Sequence, residues 1–347
     1  MMRTFLVCAI MAFCLTCTTE NENDYQNNNS DDITLSAEII LSIETDDIIA
    51  NPTRITAFND GFILYDNALN QILIFSESGD HIQTFGRQGR GPGEFLSISS
   101  LKFVSGKIIV SDSELLRLTS FDLSGNHLSS QDLTASLFAF DNTVISPTQF
   151  ITPTNGQEGG LAKFVDRENN IEFVFGEAVT TPPGFADLNQ LQRDLSSGRV
   201  PDFFRNRVAI SGDETFFYLF LQTEGILQQY SNEGVLIWEK KFELPEFDDE
   251  FNRFVEQNRN NPPGRMYMLQ YVHIMEHNEE GVFMLLRIPN NYPPTILYAN
   301  HDGEDQRKFH FNEMEYRPSH FSISPSKEWI YFLNTSHGIV YRSSFPD

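Results

Sequence analysis

Two stretches of this chain repeat one another: GFILYDNALNQILIFSESGDHI at residues 61–82 and GKIIVSDSELLRLTSFDLSGNHL at residues 106–128. Each reads as a short apolar strand, a loop with an aspartate, a second strand ending in Phe, and a Ser-Gly turn. The turn glycines, Gly79 and Gly125, stand 46 residues apart. A period of this length constrains the fold strongly, because one such unit cannot bury its own apolar face and must stack on copies of itself. Weaker copies keep the turn in KFVDRENNIEF (163–173), QQYSNEGVLIW (228–238) and LYANHDGEDQ (297–306), which makes five hairpins. A sixth begins in FSISPSKEWIYFLNTSHGIVYRSS (321–344) but lacks a strand, and ITLSAEIILSI (33–43) is a strand without a hairpin partner. Joining these two ends closes a ring that leaves few sheet edges exposed. The expectation is an all-β, six-bladed β-propeller over residues 33–347, with four-stranded blades and the N-terminal strand closing the last one.

The composition agrees with a β fold, since 31 Phe and 11 Tyr favour pleated, half-buried surfaces. Helical periodicity is confined to two insertions between blades. PPGFADLNQLQRDLSSGRVPDFFRNR (182–207) places Leu188, Leu191 and Leu195 on one helical face, and EFDDEFNRFVEQNRNNPPGR (246–265) does the same for Phe247, Phe251 and Phe254. Both helices are expected to pack on the propeller.

Arg3 and the apolar run TFLVCAIMAFCLTC have the charged start and short hydrophobic stretch of a secretory signal, expected over residues 1–16. All three cysteines, Cys8, Cys14 and Cys17, lie in this region, so the body holds neither a disulfide nor a thiolate metal site. CLTC resembles the lipobox of bacterial lipoproteins, which implies lipidation at Cys17, although Cys14 and Thr16 depart from the preferred residues. The polar, Asn-rich TTENENDYQNNNSDD that follows reads as a disordered acidic tether over residues 17–32, and it resembles the surface-export signal of Bacteroidetes lipoproteins. These features imply a bacterial outer-membrane lipoprotein in contact with the membrane through its anchor only. A net charge of −24 excludes the basic footprint that nucleic acid requires.

The densest local signal is FGRQGRGPGEF (85–95). A phosphate loop needs its glycines to open a helix, yet this stretch leads into the strand ISSLKFV, so its glycines are read as backbone geometry at a crossing between blades. From Phe85 to Leu128 the chain resembles an NHL repeat, supplying Phe85, Gly86, Gly89, Gly91, Pro92, Gly93, Glu94, Phe95, Asp112, Phe121 and Gly125, with Asp66 at the aspartate position of the preceding blade. The whole chain resembles the six-bladed propeller lipoproteins of Bacteroidetes.

In a propeller all such crossings share one face with the loops carrying Asp66 and Asp112. Ten of the seventeen arginines gather on these segments. Guanidinium forks suit carboxylates, sulfates and phosphates, so an anion site is expected there, built from Arg87, Arg90, Glu94, Asp66, Asp112, Arg205, Arg207, Arg265 and Arg317. The competing reading pairs these arginines with the acidic residues of the same loops.

HIMEH (273–277) fits the His-x-x-Glu-His pattern of zinc peptidases, but that chemistry needs a helix, and MYMLQYVHIMEHNEEGVFMLL alternates as strands. On a strand His273 and His277 are expected on one side and Glu276 on the other. His81 and His127 recur after the turn glycine of two blades and are read as hairpin structure. No Gly-x-Ser-x-Gly motif occurs. No metal or cofactor is expected. The function expected is a binding module for a protein or glycan of the cell envelope rather than an enzyme, the alternative being a propeller hydrolase or lyase acting outside the cytoplasm.

Overall fold

A computed structural model describes residues 32–133, 143–179, 188–262 and 265–346. The expected signal peptide, Cys17 and the tether up to residue 31 lie outside them, and Asp32 already belongs to the first strand.

The second strand is buried along its whole length in two repeats, Gly61–Asp66 and Gly281–Leu286, and third strands such as Gln71–Ser76 and Ile226–Ser231 are buried between their end residues. A strand buried on both faces has to be sandwiched between sheets. Six sheets supply that arrangement. Their inner strands, blade 1 to blade 6, are Pro52–Phe58, Ile98–Val104, Thr143–Val144, Val208–Gly212, Val272–His277 and His320–Ile323, and each blade continues outward as an antiparallel meander.

Six apolar clusters fill the six interfaces between neighbouring blades. Ile63, Tyr65 and Ile72 of blade 1 meet Leu101, Ile108 and Phe121 of blade 2, for example, and Phe283 and Ile296 of blade 5 meet Phe321, Phe332 and Tyr341 of blade 6. The cluster of blades 6 and 1 joins Tyr331, Leu333 and Val340 to Phe62, Leu64 and Leu73 and so closes the ring. The chain is therefore a six-bladed propeller with four-stranded blades.

Closure differs in one respect from the expected single strand. Residues 33–43 split at buried Ala37. Glu38–Ser42 pairs antiparallel with Ile339–Ser344 and completes blade 6, whereas Asp32–Ser36 pairs parallel with Gln306–Asn312 as a fifth strand of blade 5. Side chains fasten this seam. Arg342 pairs with Glu38, donates to the Glu77 carbonyl at 2.7 Å, and lies 4.1 Å over the Trp329 ring.

The insertions form α1 (Leu188–Ser196), the single turn α2 (Asp202–Arg205) and α3 (Pro245–Asn260). Pro245 occupies the first turn of α3, where its missing N–H costs nothing. Leu191, Leu195, Phe247 and Phe254 are buried, with Phe251 packed beside them, in the cluster that also fills the interface of blades 4 and 5. Glu246 of α3 is buried too, and Lys308 of blade 5 bridges it, at 2.9 Å, to Asp32 of the N-terminal strand, at 3.4 Å.

Candidate functional site: the central channel

Strand register fixes the two faces. Asp66 pairs with Pro52, Asp112 with Ile98, Leu221 with Val208 and Leu286 with Val272, so each inner strand begins on the face where the chain crosses between blades. The repeated aspartates lie under this face as backbone staples. Asp66, fully buried, accepts the amides of Ala50 at 2.6 Å, Asn51 at 2.8 Å, Ala68 at 3.0 Å and Leu69 at 3.1 Å. Asp112, 1% exposed, likewise accepts those of Leu96, Ser97, Glu114 and Leu115. Each carboxylate ties a crossing to a hairpin turn, and burial beneath four amides removes both residues from the surface where a ligand would meet them.

The Gly-rich crossing is equally self-contained. Arg87 donates from Nε to Glu94 Oε1 at 2.8 Å, and the Gly91 amide donates to Glu94 Oε2 at 2.7 Å. The amide and the guanidinium together hold the Glu94 carboxyl below its ordinary range. A Cβ on Gly89 would lie 2.1 Å from Glu94 Oε2, so the loop needs glycine for this close approach. Phe95 is fully buried and anchors the next blade.

The expected arginine set does not converge. Arg90 and Arg265 are exposed, and Arg205 pairs with Glu224 at 2.8 Å and Asp202 at 3.8 Å. Only Arg207 lines the cavity that the propeller builds, a channel mouth of about 670 Å³ on the crossing face. Every blade contributes to its wall, among others Arg54 and Ser99, Lys102, Thr152 and Glu158, Arg207 and Gln222, Gln270, His273 and Glu276, and Ser319 and His320. The cavity is polar because inner-strand side chains there have no neighbouring sheet to pack against.

Among the described residues its wall carries the cations Arg54, Lys102 and Arg207 and the carboxylates Glu158 and Glu276. Of the lining carboxylates among the described residues, Glu276 crosses the lumen to pair with Lys102, and Glu158 pairs with Lys163 at 3.2 Å. Arg54 donates from Nε to the Ser99 carbonyl at 2.9 Å, which presents its charge at the junction of blades 1 and 2. Behind His273 stand three more arginines. Arg253 binds Glu250 at 2.6 Å, Arg287 donates to Gln270 at 3.0 Å and to the Tyr267 hydroxyl at 2.8 Å, and Arg317 donates to the Pro289 carbonyl at 2.8 Å.

The histidines register this field. Water reaches His273 in the lumen, yet protein surrounds it, and that desolvation with Arg287, Arg317 and Arg253 lowers its pKa to about 4. His320 is lowered to about 3 by burial, Arg54, His273 and Lys102. Both rings are neutral at physiological pH. Glu250 is pushed the other way by complete burial, against the pull of Arg253, Arg287 and Arg317.

The opposite mouth is a cavity of about 350 Å³, and Lys102, Thr143 and Glu276 line both. Blades 2 and 5 stand three positions apart in the ring, so the Lys102–Glu276 pair bolts the channel at its waist. The expected alternation of HIMEH fails here because a bulge interrupts the strand between Val272 and Ile274. His273 and Glu276 both line the mouth on the crossing face, while His277 lines the opposite mouth and contacts Ser211 of blade 4 at 2.8 Å. Among the described residues no group of three or more His, Cys, Asp or Glu side chains converges on a metal position. Sequence reasoning missed Arg54, Lys102 and His320, each a single polar residue of an inner strand, and Arg287, which directly follows the second strand of blade 5; none sits in a local motif.

Comparison with known proteins agrees with this architecture. A family model described as a 6-bladed beta-propeller, DUF5128, matches residues 18–158. The fold is a six-bladed β-propeller. A protein of Bacteroides fragilis named as a candidate exported protein superposes with a TM-score of 0.53 at 14% identity, over 91% of this chain and 99% of that one. A member of the duf4221 family from Bacteroides vulgatus superposes with a TM-score of 0.51 at 11% identity, over 90% and 96%. These identities speak for the fold alone. No curated protein matches the chain in sequence. Among the described residues no helix is long and apolar enough to cross a membrane.

Proposed function

We propose that this propeller is an exported, lipid-anchored binding module that takes an anionic ligand, such as an acidic glycan or a peptide carboxylate of the cell envelope, into the channel mouth on its crossing face. One observation carries the reading. In a chain with a net charge of −24, the described wall of this mouth carries three cations, Arg54, Lys102 and Arg207, beside the carboxylates Glu158 and Glu276. A concave site with cations on low-dielectric walls concentrates anions against the repulsion of the outer surface. The signal-like start, Cys17 and the acidic tether support the anchored, extracytoplasmic part of the proposal.

The test is a thermal-shift and calorimetric panel of succinate, citrate, sulfate and glucuronate on the mature chain. At least one should bind with an affinity that falls about tenfold in Arg207→Gln, the loss of one charge-assisted contact. Absence of any saturable binding, or an affinity indifferent to Arg207, would discard the site.

A further inference from the structure

The mouth opposite the crossings holds an arrangement that anion binding does not use. Ser211 lies in the inner strand of blade 4, and its Oγ is 2.8 Å from Nδ1 of His277, the last residue of the inner strand of blade 5. On the other side of the same ring, Nε2 lies 3.5 Å from Oδ2 of Asp213. A proton on Nε2 facing the carboxylate leaves the lone pair of Nδ1 directed at the hydroxyl, which is the tautomer a general base needs. Nucleophile, base and orienting carboxylate thus stand in sequence, recognised by geometry rather than by motif.

Asp213 is itself fixed, its Oδ1 accepting the amides of Thr215 at 2.7 Å and Phe216 at 2.9 Å. Burial raises its carboxyl, but the hydrogen bond with His277 and these two amides outweigh burial and hold it at about 2. It is ionised at neutral pH. Ser211, Asp213 and His277 all line the cavity of about 350 Å³, and so does Asn278. The Nδ2 of Asn278 is buried without a hydrogen-bond partner, although its Oδ1 accepts the Glu280 amide at 2.8 Å. An orphaned buried donor is costly in a resting protein and is what a developing oxyanion requires.

We propose that Ser211, His277, Asp213 and Asn278 form an acyl-transfer site for small carboxylic esters, reached from the mouth opposite the crossings. Ser211 Oγ forms a bond to the ester carbonyl carbon while its proton passes to His277 Nδ1, and the charge left on the carbonyl oxygen is met by Asn278 Nδ2–H. Collapse of the tetrahedral adduct breaks the bond to the leaving alcohol, which takes the proton from His277. Water then attacks the acyl-serine by the same route, releasing the carboxylic acid and restoring the hydroxyl. Asp213 is a positioning residue, holding the tautomer and stabilising the imidazolium. At about 350 Å³ the cavity lies at the small end of ligand pockets, in keeping with a small ester.

The test uses the mature chain, a fluorophosphonate probe and p-nitrophenyl acetate. The expected result is one covalent adduct mapped by peptide mass to Ser211, absent in Ser211→Ala, with labelling about 100-fold slower in His277→Gln. Asp213→Asn should slow labelling and displace the acid limb of its rate–pH profile, which a merely structural carboxylate would not do. Ser211→Cys guards against a folding defect in the alanine variant: alkylation at position 211 should be faster than in the Ser211→Cys, His277→Gln double variant. No adduct on the folded wild type, an adduct that survives Ser211→Ala, or equal alkylation rates would each reduce the arrangement to a clamp between blades 4 and 5 and overturn the proposal.

Discussion

Replacing Asp112 by alanine tests whether the repeated aspartate is architecture. The side chain is 1% exposed and accepts four amides, from Leu96 at 2.7 Å, Ser97 at 3.3 Å, Glu114 at 3.0 Å and Leu115 at 2.9 Å. Alanine leaves these donors facing a small void. At about 1 kcal/mol each, the low end for orphaned donors because water can reach part of the loop, the loss is about 4 kcal/mol. Unfolding entropy near 2.1 cal/mol/K per residue gives a domain of roughly 300 residues about 0.6 kcal/mol/K, so the melting temperature should fall by about 6–7 °C. Asp112→Asn keeps an acceptor oxygen for the turn amides but turns an NH2 or an uncharged oxygen toward Leu96, and should cost about 1–2 kcal/mol. The assay is urea unfolding followed by the fluorescence of Trp238 and Trp329, with exposed Asp60→Asn as a control expected to stay within about 0.5 kcal/mol. A loss below about 1 kcal/mol in the alanine variant, at unchanged m-value, would refute the staple.

Three further outcomes follow from buried charges. Unfolded chains bind protons at His273 and His320 near pH 6.5, whereas the folded protein binds them near 4 and 3, so stability is complete above about pH 6.5 and falls as pH drops through that window. Urea midpoints between pH 4 and 8 check this, and an identical slope in the His273→Asn, His320→Asn double variant would count against it. Lys308→Met leaves Glu246 and Asp32 without their shared cation and should destabilise by about 3–5 kcal/mol, read from the same unfolding curves. Glu276→Gln releases the charge of Lys102 into the channel and should tighten anion binding about tenfold, since one charge a few ångströms away at an effective dielectric near 20 is worth at least ~1.4 kcal/mol; an unchanged calorimetric affinity would place the anion elsewhere.

The ring was legible because each blade repeats its own local signals: the apolar run, the aspartate and the turn glycine lie within one hairpin, as in Asp66 with Gly79 and Asp112 with Gly125. The signal fades where the physics changes. Leu221 and Leu286 pair with the inner strands where Asp66 and Asp112 do in blades 1 and 2. In that region Gln222, one residue on, takes over the stapling role by accepting the amides of Tyr271 at 3.0 Å and Val272 at 3.1 Å, and α3 packs over Leu286. The continuous alternation of ITLSAEIILSI likewise hides its division between two blades, since nothing in a period-two pattern marks Ala37 as a corner.

The site was less legible for a reason intrinsic to the fold. A channel is assembled from one or two residues per blade, so Arg54, Lys102, Arg207, His273 and His320 are neighbours in space while each is flanked in sequence by ordinary strand residues. Loop arginines, which sequence displays openly, sit on the rim and pair locally, as Arg87 does with Glu94 and Arg205 with Glu224. The same geometry separates stability from function. Middle strands hold the blades together and contribute little to the lumen, whereas inner strands present their early residues to one mouth and their last residues to the other. Among the described residues only Lys102, Thr143 and Glu276 line both cavities. Any coupling through the lumen, between an anion bound among the arginines and events beside Ser211, therefore has to pass the ion pair that bolts blade 2 to blade 5.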